Sequence, residues 1–504
     1  MDVKDLLESL DYSKENVHRQ ALVYSFSNIF TLSMLSGFGV EYNISDDLID
    51  DFKKKLYTEA IKDTDDDQKT YKQDLTSDDS LYFVKDLSPI KAIYSGIKLD
   101  SSFNDTIKDD INMGIDLKDG NLQKELSPKN QGLLILNEVN LSQFLYTRGL
   151  IKGNDESSYS EKLIGMILLD SAVNQGVFCQ NELKNSEGFF IKKESITLDI
   201  NNTELQETDK KIDWEDQVYM LWAYAKLYET LGNSNHDRYF QLDKSNMFRD
   251  YAFNLLSVLK NNEYRIIELD TAKLSSLTSS IIESLNILDK DKNYMQFVLS
   301  LCDELYSRKK QNGFMIYSRQ IDKAASLASH FKSMEALVDA FEYTNFDLFL
   351  NTSEEIYNNL AATWDEHINL FRLNKDTNIK YSTKSISYIL KSLSKLQKIT
   401  PSSKVKESID SQLTSFFDSS INDTNLQAPL PSLSIELSMF RNSNNQTSVI
   451  ENILDNNRSY VIEKGFEINK TDYKINKYCD EFSSEHALFA SDAMLNLGIE
   501  ESSK

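Results

Sequence analysis

The chain has 504 residues, of which 40% are hydrophobic and 11% aromatic, and this content excludes an intrinsically disordered protein. Lys and Arg number 55 against 79 Asp and Glu, so the formal net charge of -24 repels phosphate backbones and anionic lipid surfaces and excludes nucleic acid as a partner class. The chain also exceeds the size of one simple core. We therefore expect several domains or a repeat architecture.

Residues 1–126 predict a mainly helical N-terminal extension. Apolar residues at helical spacing indicate helices over Val3–Leu10, Lys14–Leu35 and Asp46–Lys62. The second helix is expected to begin at Ser13 or Lys14 and to end before Gly37 and Gly39, and Ser45 is expected to cap the third. Residues 63–126 carry Asp-rich turns and scattered Gly. We expect this part to be irregular and to pack on the remainder of the chain.

The sequence also bears on compartment and cofactors. No apolar run is judged long enough to span a bilayer, and no basic region followed by an apolar one marks a signal peptide. Three Cys without a C-x-x-C motif indicate reduced, buried thiols, and the absence of H-E-x-x-H and of phosphate-binding Gly motifs predicts no metal and no cofactor. We expect a cytoplasmic protein as the chain stands. An extracellular or cell-surface protein trimmed of its leader is the alternative.

Residues 127–504 repeat one plan of two helices and a short tail. The tails carry an aromatic residue at Phe189, Tyr264, Phe314, Phe371, Phe417 and Phe466. A period near 50 residues is typical of a stacked or closed helical array. A final helix, Ser484–Leu497, follows the last tail and can close or cap a ring. The predicted helix pairs are Gly132–Leu145 with Tyr159–Leu183, Trp214–Leu231 with Asn246–Asn261, Thr271–Leu288 with Lys292–Lys309, Ile321–Tyr343 with Ser353–Asn369, Thr383–Gln397 with Lys404–Ser415, and Ser432–Phe440 with Ser448–Asn457.

The two helices of a pair differ in composition. The first ones carry small residues, such as Ser275, Ser276 and Ser279, whereas the second ones carry a stripe of large residues, such as Phe248 and Tyr251. Small residues let helices approach closely, so we expect the first helices to form an inner ring and the second an outer ring.

This pattern resembles the (α/α)6 toroid of the six-hairpin glycosidases and the N-acylglucosamine 2-epimerase type, over roughly residues 127–500 and at the level of the fold. The resemblance implies an all-α toroid of six helical hairpins at 127–504, on which the extension 1–126 packs. An open α-solenoid is the alternative. The resemblance also implies a ligand cleft at the mouth where the N-termini of the inner helices converge, with their backbone N–H groups facing it.

The candidate catalytic residues follow from their places at the inner-helix starts, whereas His330 and Glu335 lie inside the inner helix Ile321–Tyr343, where they are expected to line the cavity. Carboxylates beside an aromatic ring suit proton transfer on a sugar, although acidic residues also favour the first turn of any helix, and a lone helical His is more often a core residue. The candidate catalytic residues are Asp213, Glu215, Asp216, Glu485 and His486. The candidate substrate-binding residues are Trp214, Trp222, Tyr224, His330 and Glu335.

We therefore predict a carbohydrate-active protein, glycoside hydrolase-like if it is catalytic, that uses paired carboxylates at the inner-helix mouth. Inverting hydrolysis needs two carboxyl groups roughly 6.5–9.5 Å apart, which neighbouring helix starts can supply. The alternative is a non-catalytic helical-repeat scaffold that binds a protein or a glycan. The expected ligand is a carbohydrate or another small polar molecule, and a protein partner is possible.

Overall fold

The computed structural model describes the following part of the chain. It comprises residues 17–35, 39–45, 47–52, 54, 87, 89–98, 122–151, 156–196, 204–208, 211–233, 241–373, 378–424, 426, 465–469, 473–477 and 481–502.

Within these ranges the structure has twelve helices of at least 13 residues, and we number them in chain order. They are α1 Val17–Phe30, α2 Pro128–Ile151, α3 Glu156–Glu182, α4 Trp214–Gly232, α5 Leu242–Asn261, α6 Thr271–Leu288, α7 Met295–Ser307, α8 Leu327–Thr344, α9 Asp347–Ala361, α10 Thr383–Ile399, α11 Ser403–Phe417 and α12 Ser484–Ser502.

The even-numbered helices form a closed inner ring. Each of them packs against the next even-numbered helix, and α12 packs back against α2. The small residues of the inner helices are buried as predicted, and the Ser275 and Ser333 hydroxyls of α6 and α8 lie 2.9 Å apart. The predicted all-α (α/α)6 toroid is confirmed. The closure of the ring excludes the open α-solenoid.

The odd-numbered helices form the outer layer, and the sixth pair joins the two ends of the chain. Helices α3, α5, α7, α9 and α11 each pack on the inner helix that precedes them, whereas α1 packs on α12. His18 Nδ1 of α1 lies 2.7 Å from the Leu497 carbonyl oxygen of α12. The final helix is therefore the sixth inner helix, and its outer partner comes from the N-terminal region. The predicted division at residue 127 stays a prediction, and the predicted pair Ser432–Phe440 and Ser448–Asn457 lies outside the described residues.

Short antiparallel strands surround the N-terminal ends of the inner helices. Strands β5, β10 and β13 run directly into α2, α10 and α12, so these sheets mark the N-terminal mouth of the ring. The sheet orders are β1-β2, β13-β3-β4, β5-β6-β7, β8-β9 and β10-β11-β12. The strands are β1 Gly39–Glu41, β2 Ile90–Ile93, β3 Gly96–Lys98, β4 Leu122–Gln123, β5 Glu125–Leu126, β6 Lys193–Ser195, β7 Leu205–Glu207, β8 Trp364–Asp365, β9 Leu370–Phe371, β10 Ile379–Ser382, β11 Gly465–Ile468, β12 Ile475–Lys477 and β13 Glu481–Ser483.

Two of the predicted extended tails are helical instead. Phe417 ends α11, and Tyr264 lies in a single helical turn over Glu263–Ile266 that follows α5 directly. The aromatic side chains of the other tails pack inward because the chain must cross from the outer to the inner layer there. Phe371, for example, is fully buried against Phe331 of α8, with the ring centroids 4.9 Å apart.

One segment has the length and composition of a membrane span, which the sequence analysis does not expect. Glu161–Glu182 of α3 has a window of mean hydropathy 1.2, but 72% of that window is buried inside the protein. Helix α3 packs along α2 as part of the outer layer. Its apolar character is explained by burial between helices. Cys179 of the same helix is a buried free thiol, and so is Cys302 of α7.

We predict that Gly498→Val destabilises the pairing of α1 with α12. A Cβ at Gly498 would lie 2.8 Å from Leu22 Cβ and 3.0 Å from the His18 carbonyl oxygen, so the backbone of α1 must move away. The expected loss in the free energy of unfolding is about 1–3 kcal/mol, measured by urea denaturation. Lys244→Val on the exposed side of α5 is the control for helix propensity alone, with a loss of about 0.5 kcal/mol. Equal losses in the two variants would contradict the tight α1–α12 contact.

Candidate functional site

The interior of the ring is arranged in layers because all six inner helices turn the same face toward the axis. Side chains at equal positions along different inner helices contact one another and form a layer. The four layers lie one, five, eight and twelve residues after the first residue of a helix, as the period of 3.6 residues per turn requires. Each layer therefore combines side chains from several helices, and the character of the layers changes from the N-terminal to the C-terminal end.

The first layer lies at the N-terminal mouth and consists of two lysines and two glutamates, which we call the mouth cluster: Lys129, Glu215, Lys384 and Glu485. Lys129 Nζ lies 3.3 Å from Glu215 Oε2 and 3.0 Å from Glu485 Oε1. Lys384 Nζ lies 2.7 Å from the same Glu485 oxygen. Lys129 is buried, whereas the Glu485 side chain keeps 26% of its surface exposed. The cluster thus reaches solvent through Glu485 and Lys384.

Mutual attraction keeps the mouth cluster charged. Burial by itself would raise the pKa of Glu485, but the Lys384 and Lys129 ammonium groups outweigh burial and hold that pKa well below its usual range. Burial and the neighbouring Lys384 would lower the pKa of Lys129, but the carboxylates around it raise that pKa above its ordinary value. Glu485 is therefore ionised at neutral pH.

Two further carboxyl groups flank the mouth cluster at the start of α4. Asp213 accepts the N–H of Glu215 at 3.0 Å as the N-cap and lies 3.5 Å from Lys273 Nζ. Asp216 accepts the backbone N–H of Lys129 at 2.9 Å, which joins the first turns of α2 and α4. Burial raises the pKa of Asp216 to about 7, although the Lys129 charge opposes this shift. Asp216 is thus partly protonated at neutral pH, whereas Glu485 of the same mouth is ionised.

The second layer is aromatic, and it blocks the axis. We call it the aromatic layer, and it consists of Tyr219, Tyr388 and Phe489. The Phe489 ring contacts Tyr219 and Tyr388 edge-on, with centroid distances of 5.7 Å and 5.4 Å. Lys332 Nζ lies 5.2 Å above the Tyr388 ring. A small cavity of about 10 Å³ lies among these side chains and their neighbours, which is room for about one water molecule.

The third and fourth layers are again charged. Lys391 Nζ lies 2.7 Å from Asp492 Oδ2 and 4.9 Å from the centroid of the Trp222 ring. Lys395 Nζ lies 2.6 Å from both Glu283 Oε1 and Asp339 Oδ1.

Glu335 sits fully buried in the third layer. Its Oε2 lies 2.8 Å from Lys332 Nζ. Burial would raise the pKa of Glu335, but Lys332 and Lys395 hold it at about 2. Burial raises the pKa of Asp339 to about 6, against the pull of Lys395.

A cavity of about 300 Å³ lies at the C-terminal end of the ring, beyond the aromatic layer, and we call it the C-terminal cavity. Its walls belong to five of the six inner helices. The ring interior therefore has two polar ends of different composition. The residues that line the cavity are Asn140, Trp222, Lys226, Glu229, Glu283, Asn286, Ile287, Lys391, Lys395, Asp492 and Asn496.

Most of the predicted site residues lie at one of these two ends. Asp213, Glu215, Asp216 and Glu485 meet at the mouth, and the half-buried His486 follows Glu485 in the first turn of α12. Glu335 lies in the third layer, and Trp222 lines the C-terminal cavity. Trp214 is buried and packs edge-on against Phe189, with centroids 6.3 Å apart.

Two predicted residues turn away from the axis. The Tyr224 hydroxyl donates to the Gly176 carbonyl of α3 at 3.1 Å, and its ring stacks on Phe248 of α5. His330 Nε2 accepts the N–H of Met315 at 3.0 Å, so Nδ1 carries the proton and donates to the Ser326 carbonyl at 2.7 Å. Burial lowers the pKa of His330, which keeps the ring neutral. His330 therefore does not line the ring interior as expected, and Tyr224, a candidate for substrate binding, packs against the outer layer, because the same helices must also bury a face against that layer.

The lysines of the interior were missed by the sequence analysis. Lys384, Tyr388, Lys391 and Lys395 follow one another on α10 at spacings of four, three and four residues, and all of them face the axis. This spacing puts them on one face of the helix, so it is a readable signal. It is overlooked when lysines are assigned to the solvent face by default.

The chain has the fold of known sugar-acting enzymes but little sequence in common with them. A crystal structure of a D-mannose isomerase superposes with a TM-score of 0.50 at 9% identity, covering 81% of this chain and 91% of that chain. An unsaturated glucuronyl hydrolase specific for heparin superposes with a TM-score of 0.44 at 9% identity, covering 91% and 99%. A GH76 alpha-mannanase from Bacteroides thetaiotaomicron reaches 0.42 at 10% identity, covering 75% and 88%.

Comparison of sequences adds nothing to this likeness, since no family model and no curated protein matches the chain. At 9% identity, the likeness to the D-mannose isomerase concerns the fold alone. The resemblance to the (α/α)6 toroid proteins is confirmed at the level of the fold.

We predict that Asp216→Asn changes the pH dependence of stability. The pKa of about 7 in the folded protein lies above the ordinary value of 3.8, so the folded state holds a proton that the unfolded state releases between pH 4 and 7. The contribution of Asp216 to the free energy of unfolding therefore falls as pH rises through this window, and the Asn variant lacks that fall. The variant should match the parent near pH 4 and exceed it near pH 8 by about 1–4 kcal/mol.

Urea denaturation at several pH values measures this difference, with Asp291→Asn as the control because Asp291 is exposed. The control should follow the parent at every pH. A difference between Asp216→Asn and the parent that stays constant from pH 4 to pH 8 would contradict the raised pKa.

Proposed function

We propose that the protein is a carbohydrate-active enzyme that hydrolyses glycosidic bonds at the N-terminal mouth of the ring. The observation that carries this proposal is the convergence of Glu215 and Glu485 on one ammonium group, Lys129 Nζ, with the partly protonated Asp216 bound to the backbone of the same lysine. Glycoside hydrolysis requires one carboxyl group that is ionised and one that carries a proton, held close together.

The charges of the mouth cluster suit these roles. Glu485 stays ionised because Lys384 and Lys129 lower its pKa, so it would stabilise the positive charge that develops on the sugar ring. Asp216 would hold the proton at neutral pH. Lys129 would position Glu215 and Glu485 rather than react, because both carboxylates bind its Nζ.

The two glutamates share one position at the mouth, because the Glu215 and Glu485 oxygens lie 3.3 Å and 3.0 Å from the same Nζ. In the proposed reaction Asp216 would give its proton to the leaving group, and Glu485 would act on the sugar ring as the ionised partner. The separation of these two groups decides between inversion, which the sequence suggested, and retention, and NMR of the first product formed distinguishes the two outcomes.

Two other functions, sugar isomerisation and non-catalytic binding, can be compared with the geometry of the mouth cluster. A sugar isomerase, such as the D-mannose isomerase that shares the fold, needs a base and an acid beside a sugar carbon, and Glu485 and Asp216 would take these roles as well. A non-catalytic scaffold does not require carboxylates that converge inside a closed ring. The mouth cluster therefore favours an enzyme, and the substrate assay separates hydrolysis from isomerisation.

We predict that Glu485→Gln and Glu215→Gln each lower kcat at least about 100-fold while substrate still binds, because the charge that stabilises the transition state is lost. Two assays on the full chain measure this: release of reducing ends from a panel of α- and β-linked oligosaccharides, and interconversion of free aldoses and ketoses followed by NMR. Glu407→Gln is the matched control, because Glu407 is exposed on the outer helix α11. Thermal unfolding of each variant checks that the fold is kept.

Turnover of free sugars without cleavage of any oligosaccharide would replace hydrolysis by isomerisation. Wild-type rates in both glutamine variants, or a parent protein that turns over neither kind of substrate, would overturn the proposed site.

A further inference from the structure

We infer that the C-terminal cavity is a second binding site, separate from the mouth, for a neutral polyhydroxylated ligand of about monosaccharide size. This inference does not rest on the proposed function. It rests on the charge balance of the cavity walls, on their unused hydrogen-bonding groups and on the aromatic layer that separates the cavity from the mouth cluster.

Among the described residues that line the cavity, each charged side chain contacts a side chain of opposite charge. Lys391 pairs with Asp492 at 2.7 Å, Lys395 pairs with Glu283 at 2.6 Å, and Lys226 pairs with Glu229 at 2.7 Å. Three cations thus face three carboxylates, each in direct contact. An anionic or cationic ligand would have to break one of these pairs, which costs free energy in a half-buried site. A neutral ligand can hydrogen-bond to the pairs as they stand.

The walls also offer amide groups with free donors and acceptors. In the part of the chain that the structure describes, the side chains of Asn140 and Asn286 make no hydrogen bond, although both line the cavity. An amide presents two N–H donors and a carbonyl acceptor, which complements hydroxyl groups that both donate and accept. The half-buried Trp222 adds an apolar surface. Few polar groups around an aromatic wall are typical of small-molecule sites.

The size and position of the cavity define the ligand further. Its volume of about 300 Å³ lies at the lower end of the range for small-molecule sites, so it accommodates a single sugar or cyclic polyol. The rings of the aromatic layer lie between the cavity and the mouth cluster. A ligand in the cavity therefore does not contact Glu485 or Glu215, and the two sites can be measured independently.

Trp222 serves as the reporter of binding. The chain has three tryptophans, and the double variant Trp214→Phe, Trp364→Phe leaves only Trp222. Its emission is titrated with D-mannose, D-glucose and myo-inositol as neutral probes, and with inorganic phosphate and D-glucuronate as anionic probes. We expect a saturable change with at least one neutral probe and none with the two anions. Adding Asn140→Ala should weaken the affinity about tenfold, since a hydrogen bond to the ligand is lost.

The controls separate this site from the mouth and from the fold. Asn261→Ala, on the exposed end of α5, and Glu485→Gln, at the mouth, should leave the Trp222 titration unchanged. Because Asn140 and Asn286 make no hydrogen bond in the described part of the protein, alanine at either position should keep the thermal midpoint, and Asn286→Ala provides the second test.

The inference is overturned by any of three results. One is the absence of a saturable response to all three neutral probes. Another is unchanged affinity in both asparagine variants. The third is tighter binding of phosphate or glucuronate than of the neutral probes.

Discussion

Charge pairing inside the ring is the constraint on which the rest of the structure depends. A lysine in a poorly solvated interior stays charged only with a carboxylate beside it, and removing one partner leaves a buried charge that costs several kcal/mol, about 3–5. Lys384, Lys391 and Lys395 of α10 meet this requirement through Glu485 and Asp492 of α12 and Glu283 of α6. Because the partners lie on other inner helices, the pairs fix the helices in register with one another.

This common register divides the ring interior into ends with different chemistry. At the mouth, Glu485 is kept ionised while Asp216 retains a proton near neutral pH, a division that suits acid–base work on a sugar. At the other end each lysine of the cavity wall is paired with a carboxylate, and the side-chain amides of Asn140 and Asn286 face the cavity, where they can hydrogen-bond to hydroxyl groups. Tyr219, Tyr388 and Phe489 separate the two ends, since their rings fill the axis one turn below the mouth.

Much of this arrangement can be predicted from local signals, and the failures have a common cause. Four inner helices begin at the predicted residues, Trp214, Thr271, Thr383 and Ser484, and the first three follow a side-chain cap. The other two begin at Pro128 and Leu327 rather than at Gly132 and Ile321. An error of several residues in the first residue of a helix changes which side chains are assigned to the face toward the axis. The residues that share a layer across the ring could therefore not be identified from the predicted starts of these two helices.

The sequence by itself determined the all-α class, the alternation of two kinds of helix and the acidic residues at the first turns of α4 and α12, because periodicity and capping are local properties. The toroid was implied by the resemblance alone, and the packing of α12 against α2 decided it against the open solenoid. Only the tertiary structure decided that α1 is the outer partner of α12, that Tyr224 and His330 point outward, and that lysines occupy the axis. The physical reason is that an inner helix is buried on two sides. Its apolar pattern runs almost all round, and the sequence does not distinguish the side that faces the axis from the side that faces the outer helices.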